Sequence, residues 1–173
     1  MASALVGHIL GIPPSRIKEP IKSFRGLAHR LEKVTSIRGV DFYDDSKATN
    51  VDATSKSIQS FDRNIILILG GRDKGGDFKK LRKPVKENVK RIILLGEAKE
   101  KIRTALKGIV PMETVSSIEE AVRLGYSRAK PQEVVLLAPA CTSFDMFQNF
   151  EERGEVFKRE VLSLEKELGK ERP

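Results

Sequence analysis

Three short, uninterrupted aliphatic runs constrain this chain more than anything else in it: Ile65-Ile66-Leu67-Ile68-Leu69, Ile92-Ile93-Leu94-Leu95 and Val134-Val135-Leu136-Leu137. A strand with one wet face alternates apolar and polar residues, whereas a strand covered on both faces has no polar side to show. The runs therefore predict parallel strands inside a sheet with helices on either side. The intervals between them agree, because residues 77–88, 98–106 and 117–129 are long enough to be crossover helices in a repeated βα pattern. Ser116 or Ser117, with Glu119 and Glu120 behind it, supplies the cap and the first-turn acids of the last of these. Leu31 to Ile37 and Val40 to Tyr43 flank Arg38-Gly39 and read as a hairpin at the start of the sheet. From Asn149 to Lys170, the residues Phe150, Phe157, Val161, Leu164 and Leu168 recur on one stripe, as in a docked C-terminal helix. Residues 2 to 25 read as one or two helices broken at Pro13-Pro14. The expected architecture is α/β: a mostly parallel sheet flanked by helices, with six strands of which one is antiparallel.

Size and charge narrow the functional classes. At 173 residues and 39% apolar content, one domain of this length buries about 70% of its unfolded surface and needs no staple. The single Cys141 rules out an internal disulfide and suits a reducing compartment. No apolar run approaches the roughly 18 residues of a membrane span. Residues 2 to 12 lack the basic flank and cleavage site of a signal peptide, so a cytoplasmic protein without a membrane partner is expected. The net charge of +8 is concentrated in residues 72–107, which hold 13 bases against 5 acids. Most of these bases fall where helix faces should be solvated. With no nucleic-acid motif and only 6% aromatic residues, a nucleic-acid partner is not expected, whereas an anionic small substrate would be drawn by the same field.

The fold reading locates a site. In open parallel sheets, ligands bind beyond the carboxyl ends of the strands, near the point where strand order reverses. Three unusual segments follow the strands: Asp44-Asp45-Ser46-Lys47-Ala48-Thr49-Asn50, Gly70-Gly71-Arg72-Asp73-Lys74-Gly75-Gly76-Asp77, and Ala138-Pro139-Ala140-Cys141-Thr142-Ser143-Phe144-Asp145. Each combines small residues, which let backbone N–H groups approach a ligand, with hydroxyls or a lysine that can hold a carboxylate or phosphate. Plainer roles stay open for each. The glycines could serve a tight turn, Ser143 and Asp145 could open a short helix, and Asp44 and Asp45 could cap the helix beginning near Thr49. No metal is expected, since His8 and His29 lie far apart in sequence and no acid pair has ligand spacing. Cys141 has no nearby histidine and reads as a small buried thiol.

Taken together, Gly26-Leu27-Ala28-His29-Arg30-Leu31-Glu32, Asp45 to Asn50, Gly70-Gly71 with Lys74 and Asp77-Phe78, and Pro139 to Phe147 with Asn149-Phe150-Glu151-Arg153-Gly154 resemble the C-terminal, Rossmann-like domain of the Mur ligases, in the branch that adds D-glutamate. The resemblance covers about residues 24 to 160. It departs at Ala28, where proline is frequent, and at Thr142, where alanine is frequent. Residues 1–22 resemble the helical tail end of that family's central domain, leaving 23–173 as the C-terminal substrate-binding domain. The resemblance implies ATP-dependent amide formation between UDP-N-acetylmuramoyl-L-alanine and D-glutamate in peptidoglycan biosynthesis, with ATP and magnesium bound in the full-length enzyme. It places Thr49 and Lys74 on one carboxylate of D-glutamate, and Ser143 with the backbone near Phe144 and Phe150 on the other. Arg30, Asp45 and Lys47 would face the nucleotide, with His29 beside them. No catalytic residue is assigned within this chain. No G-x-x-x-x-G-K-[ST] loop occurs in it, so the chain is expected to be a piece of a longer ligase, inactive alone. The alternative expectation is a free-standing Rossmann-like module that binds an acidic amino acid or a nucleotide without catalysis.

Overall fold

A computed structural model describes residues 2–24, 26–62 and 64–170. Two helices come first, α1 (Ala2–Ile9) and α2 (Pro14–Ser23), with Pro14 opening the second, where a missing N–H costs nothing. A hairpin of β1 (Glu32–Ile37) and β2 (Val40–Asp44) follows, then α3 (Val51–Gln59), β3 (Ile65–Gly70), a 3-10 turn (Phe78–Leu81), α4 (Arg82–Asn88), β4 (Val89–Leu95), α5 (Lys99–Ala105), β5 (Met112–Thr114), α6 (Ile118–Arg128), β6 (Val134–Leu137) and α7 (Phe150–Lys170). The six strands form one sheet in the order β1-β2-β6-β3-β4-β5. Only the β1–β2 pair is antiparallel.

The aliphatic runs are buried on both faces, as their continuity requires. Ile65, Leu67, Leu69, Ile92, Leu94 and Leu136 point to one side, where α3, α4 and α5 cover them with Ile58, Val85 and Ile102. Ile66, Ile68, Ile93, Leu95, Val135 and Leu137 point to the other, under Ile118 and Val122 of α6 and Phe157, Val161 and Leu164 of α7. Consecutive residues thus feed two separate cores.

Three sequence expectations need adjustment. The predicted helix 77–88 is a 3-10 turn followed by an α-helix that starts at Arg82. Pro84 explains the break, because only the first turn of an α-helix tolerates a residue without an N–H. The helix after β2 is capped by Asn50, whose Oδ1 accepts from Ala53 N at 2.8 Å, not by Asp44 or Asp45. Ser143 opens no helix: its carbonyl accepts from Met146 N and Phe147 N in a turn, and Asp145 Oδ2 instead accepts from Glu97 N at 3.0 Å. Ser117 caps α6 as expected, its Oγ accepting from Glu120 N at 3.1 Å. The sixth strand, β5, has only three residues and no aliphatic run, so nothing in the sequence marked it.

A cluster of ion pairs lies at the β5 edge of the sheet. Glu113 on β5 joins Arg91 at 2.5 Å and Arg128 at 2.9 Å. The hydrogen bond from Arg128 outweighs burial and, with Arg91, holds the Glu113 carboxyl below its ordinary range. A carboxylate depressed in the folded state stabilises above its unfolded pKa, and that contribution is lost as pH falls through the depressed value. Glu113→Gln is therefore expected to lower Tm at pH 7 and to converge with the parent chain as the pH drops below the carboxylate range. Parallel melting curves at every pH would contradict this.

Candidate functional site

Chain order reverses between β2 and β3. From β3 the chain steps outward to β4 and β5, then returns to lay β6 between β2 and β3. The loops leaving β2, β3 and β6 are thereby set side by side at the carboxyl edge of the sheet. Main-chain bonds stitch them together. Ala140 N donates to Ala48 O and Gly70 N to Pro139 O, both at 3.0 Å, and Arg72 and Thr142 exchange N–H···O bonds at 3.0 Å in each direction. The Thr142 hydroxyl adds a bond to Arg72 O at 2.9 Å.

Two clefts open on either side of the loop after β2. The first, about 410 Å³, is lined by Thr49, Asn50, Asp73, Lys74, Gly76 and Ala140. Asp73 is turned inward in its wall: Oδ1 accepts from Gly76 N at 2.8 Å and Oδ2 from Lys101 Nζ at 2.5 Å. Burial pushes its pKa up, but the Lys101 bond and the Gly76 amide outweigh this and hold it below the ordinary value. Lys74 is exposed at the cleft mouth, and among the described residues no ion pair engages it. The cleft therefore offers an ammonium and a hydroxyl to a ligand carboxylate.

The second cleft, about 230 Å³, gathers Arg30, Asp45, Lys47, Lys56 and Ser57. Asp45 accepts from the Ser57 hydroxyl and, at 3.3 Å, from Leu31 N. Burial still pushes its pKa up. Lys47 Nζ stands 3.6 Å from the centroid of the Phe150 ring, a cation–π contact that fixes the stem while leaving N–H donors to face an anion. His29 stands behind this cleft. The residue is 5% exposed, Nδ1 lies 2.7 Å from Asp44 Oδ2, and its carbonyl accepts from Lys47 N at 3.1 Å. Gly154 makes room for it, since a Cβ there would overlap the imidazole and the Asp44 carboxylate.

The structure thus joins Thr49 to Lys74, and Arg30 to Asp45 and Lys47, as two separate groups. Ser143 is buried and Phe144 is 59% exposed, both on the loop after β6. Phe150 leaves the apolar stripe of α7: its ring meets Lys47 and His29, and its carbonyl accepts from the Ser46 hydroxyl at 2.8 Å. Sequence separation argued against a metal at either histidine, yet the fold brings ligand atoms of His29, Glu32 and Asp44 within 4.8 Å of one another. These atoms are already engaged, His29 with Asp44, and Glu32 with His29 N at 2.9 Å and Lys158 at 3.2 Å. One residue that carries the resemblance was given no role from the sequence. Arg153, 2% exposed, bonds to Ser46 and Cys141. Besides its place in that motif, its sequence signal is a base on the apolar stripe of the last helix.

Residues 29–141, which carry all three loops up to Cys141, match the family model for the Mur ligase glutamate ligase domain. The chain belongs to the Mur ligase family. The UDP-N-acetylmuramoylalanine–D-glutamate ligase of Acidobacterium capsulatum is 47% identical over 94% of this chain and 35% of its own length. The enzyme of the same name from Geotalea uraniireducens is 44% identical over 98% of this chain and 38% of its own. This Mur ligase chain spans little more than a third of the length of the curated relatives it matches. Among solved structures, a MurF ligase from Thermotoga maritima in complex with ADP superposes with a TM-score of 0.60 at 17% identity, covering 94% of this chain and 38% of that one. A pseudomurein peptide ligase type C from Methanothermus fervidus gives 0.62 at 21% identity, over 94% and 34%. These two show the fold. Among the described residues of this Mur ligase domain, no helix is long and apolar enough to cross a membrane.

Proposed function

We propose that this chain is the C-terminal domain of a cytoplasmic ligase that joins D-glutamate to UDP-N-acetylmuramoyl-L-alanine in peptidoglycan biosynthesis, at the expense of ATP. The observation that carries the reading is the pair of clefts flanking one loop, with Thr49 and Lys74 on one side and Arg30, Asp45 and Lys47 on the other. A dicarboxylate needs two separated donor groups. Lys74 and Thr49 would take one carboxylate, while Ser143 and the backbone near Phe144 and Phe150 would take the second. The cleft with Lys47 would receive the nucleotide, Lys47 toward the phosphates and Arg30 and Asp45 toward adenosine, with His29 steadying Lys47 from behind. Residues 1–22 would be the end of the preceding domain, and 23–173 the substrate-binding domain itself.

ATP and its magnesium supply an activated phosphoryl group. Transfer of that group to the carboxylate of UDP-N-acetylmuramoyl-L-alanine gives an acyl phosphate and ADP. The amine of D-glutamate attacks the acyl carbon, the tetrahedral intermediate expels inorganic phosphate, and the ammonium proton leaves as the amide forms. Negative charge gathers on phosphoryl and acyl oxygens, so fixed cations and closure against water carry most of the catalysis. This chain's share is to hold D-glutamate with its amine aimed, to present Lys47 to the phosphates, and to close over the nucleotide. Having no P-loop in its sequence, it would do neither step alone.

The direct test is the protein that carries this domain, given ATP, magnesium, UDP-N-acetylmuramoyl-L-alanine and D-glutamate. One ADP and one phosphate per amide formed are expected, with no turnover by residues 1–173 alone. ATP-independent binding of an acidic amino acid with no amide product would instead favour a non-catalytic module.

A further inference from the structure

Arg153 is the only buried lysine or arginine among the described residues, and no carboxylate lies within ion-pair distance of it. A guanidinium taken out of water without an acid partner is costly unless its N–H groups are satisfied. Here they are satisfied by two of the site's loops. Nε donates to Ser46 Oγ and Nη2 to Ser46 O, both at 2.9 Å, and Nη1 and Nη2 each donate to Cys141 O at 3.3 Å. The third loop is tied in indirectly: Arg72 exchanges main-chain bonds at 3.0 Å with Thr142, the residue after Cys141, and Gly71 leaves room for the fork, since a Cβ built there would stand 3.3 Å from Nη1. Arg153 therefore bonds the loops after β2 and β6 directly, and reaches the loop after β3 through the Arg72–Thr142 bonds.

Its grip on Ser46 is complete. Ser46 N donates to Asp44 Oδ1 at 2.8 Å, its hydroxyl donates to Phe150 O at 2.8 Å and accepts from Arg153, and its carbonyl accepts from Arg153. Ser46 sits between Asp45 and Lys47 of one cleft, while Cys141 lies two residues before Ser143. The anchor is rigid, because α7 is seated by Phe157, Val161 and Leu164 in the second core. Burial pulls the Arg153 pKa down to about 10, so the group stays charged at neutral pH.

We propose that Arg153 is a positioning residue that ties the loop after β2 to the loop after β6, and through the Arg72–Thr142 bonds to the loop after β3, so that the amino-acid cleft and the nucleotide cleft keep a fixed geometry relative to each other. The bidentate fork matters here, because one planar group reaches two carbonyls and a hydroxyl that a single ammonium could not span. The kinetic consequence rests on the ligase reading; the structural consequence does not.

Arg153→Met keeps the volume and removes the donors. In residues 1–173, amide exchange is expected to speed up about tenfold or more at the cross-loop amides of Lys47, Arg72, Ala140 and Thr142, while Ile66 to Ile68 and Leu136 change less than about twofold. A uniform rise that includes those strand amides, or no rise at the loops, overturns the proposal. Should Arg153→Met fail to fold, Ser46→Ala removes the hydroxyl link and is expected to loosen the same amides, with an unchanged loop pattern counting against the lock. In the full-length ligase, Arg153→Met is expected to raise KM for ATP and for D-glutamate together, each about fivefold or more, with Arg153→Lys intermediate. A residue needed only for folding would lower the active fraction and leave both KM values alone, which would also overturn the proposal. Absence of amide synthesis by the parent enzyme would defeat the ligase reading and leave the exchange result standing.

Discussion

Gly70→Ala is expected to cost about 4 kcal/mol or more, enough to leave the domain marginal or unfolded. Gly70 ends the central strand β3 at φ +132°, a region closed to side chains. Its neighbour on β4 is Leu95, and a Cβ would fall on the Leu95 carbonyl, with the carbonyl carbon at 2.9 Å. Both partners are backbone in the middle of the sheet, so neither can swing away. The strands would have to part where the loops after β3 and β6 begin. At about 2–4 °C per kcal/mol for a chain of this size, a melt followed by circular dichroism should shift by roughly 10 °C or collapse outright. Gly169→Ala is the matched control, because nothing lies within 4 Å of its Cβ position, and it should be neutral or slightly stabilising. Equal melting of Gly70→Ala and the parent would show that the strand end yields more easily than this geometry allows.

The second large effect concerns chemistry. In the full-length ligase, Lys74→Ala is expected to raise KM for D-glutamate and to lower kcat, each by at least about tenfold, while KM for ATP moves less than about twofold. The split follows from placement, since Lys74 lines the cleft with Thr49 and not the one with Arg30 and Lys47. Losing the charged partner of a carboxylate in a closed site costs about 2–5 kcal/mol, and tenfold is about 1.4 kcal/mol. The loss reaches kcat as well as KM because a carboxylate that is no longer clamped lets the amine drift from the acyl carbon. Lys83→Ala, an exposed lysine on α4 outside both clefts, should change neither parameter. Unchanged kinetics in Lys74→Ala would remove that residue from the D-glutamate site.

Some of this was legible before any coordinates. Runs such as 65–69 and 92–95 read as strands buried on both faces, and Arg38-Gly39 between two short segments as the turn of a hairpin. The loops after those strands carried hydroxyls and lysines in places where generic turns would suffice. Other features had no local signal. Strand β5 forms because β4 offers it an edge to pair with, and the restart of the helix at Arg82 depends on one proline. The fit of His29 against Asp44 depends on Gly154, more than a hundred residues away in the chain.

What the sequence determined by itself was the layering. Continuous aliphatic strands, crossover-length helices and an amphipathic last helix admit little besides a covered parallel sheet, because apolar burial is decided by composition along short windows. The tertiary structure alone decided how the site is divided and held. Thr49 and Lys47 are two residues apart yet face different clefts, and Phe150 turns from the core stripe to Lys47. Arg153, which the sequence placed in the resemblance but gave no role, became the buried fork bonding the loops of Ser46 and Cys141. Those outcomes hang on contacts between segments far apart in sequence, whose geometry is fixed only when the whole sheet closes.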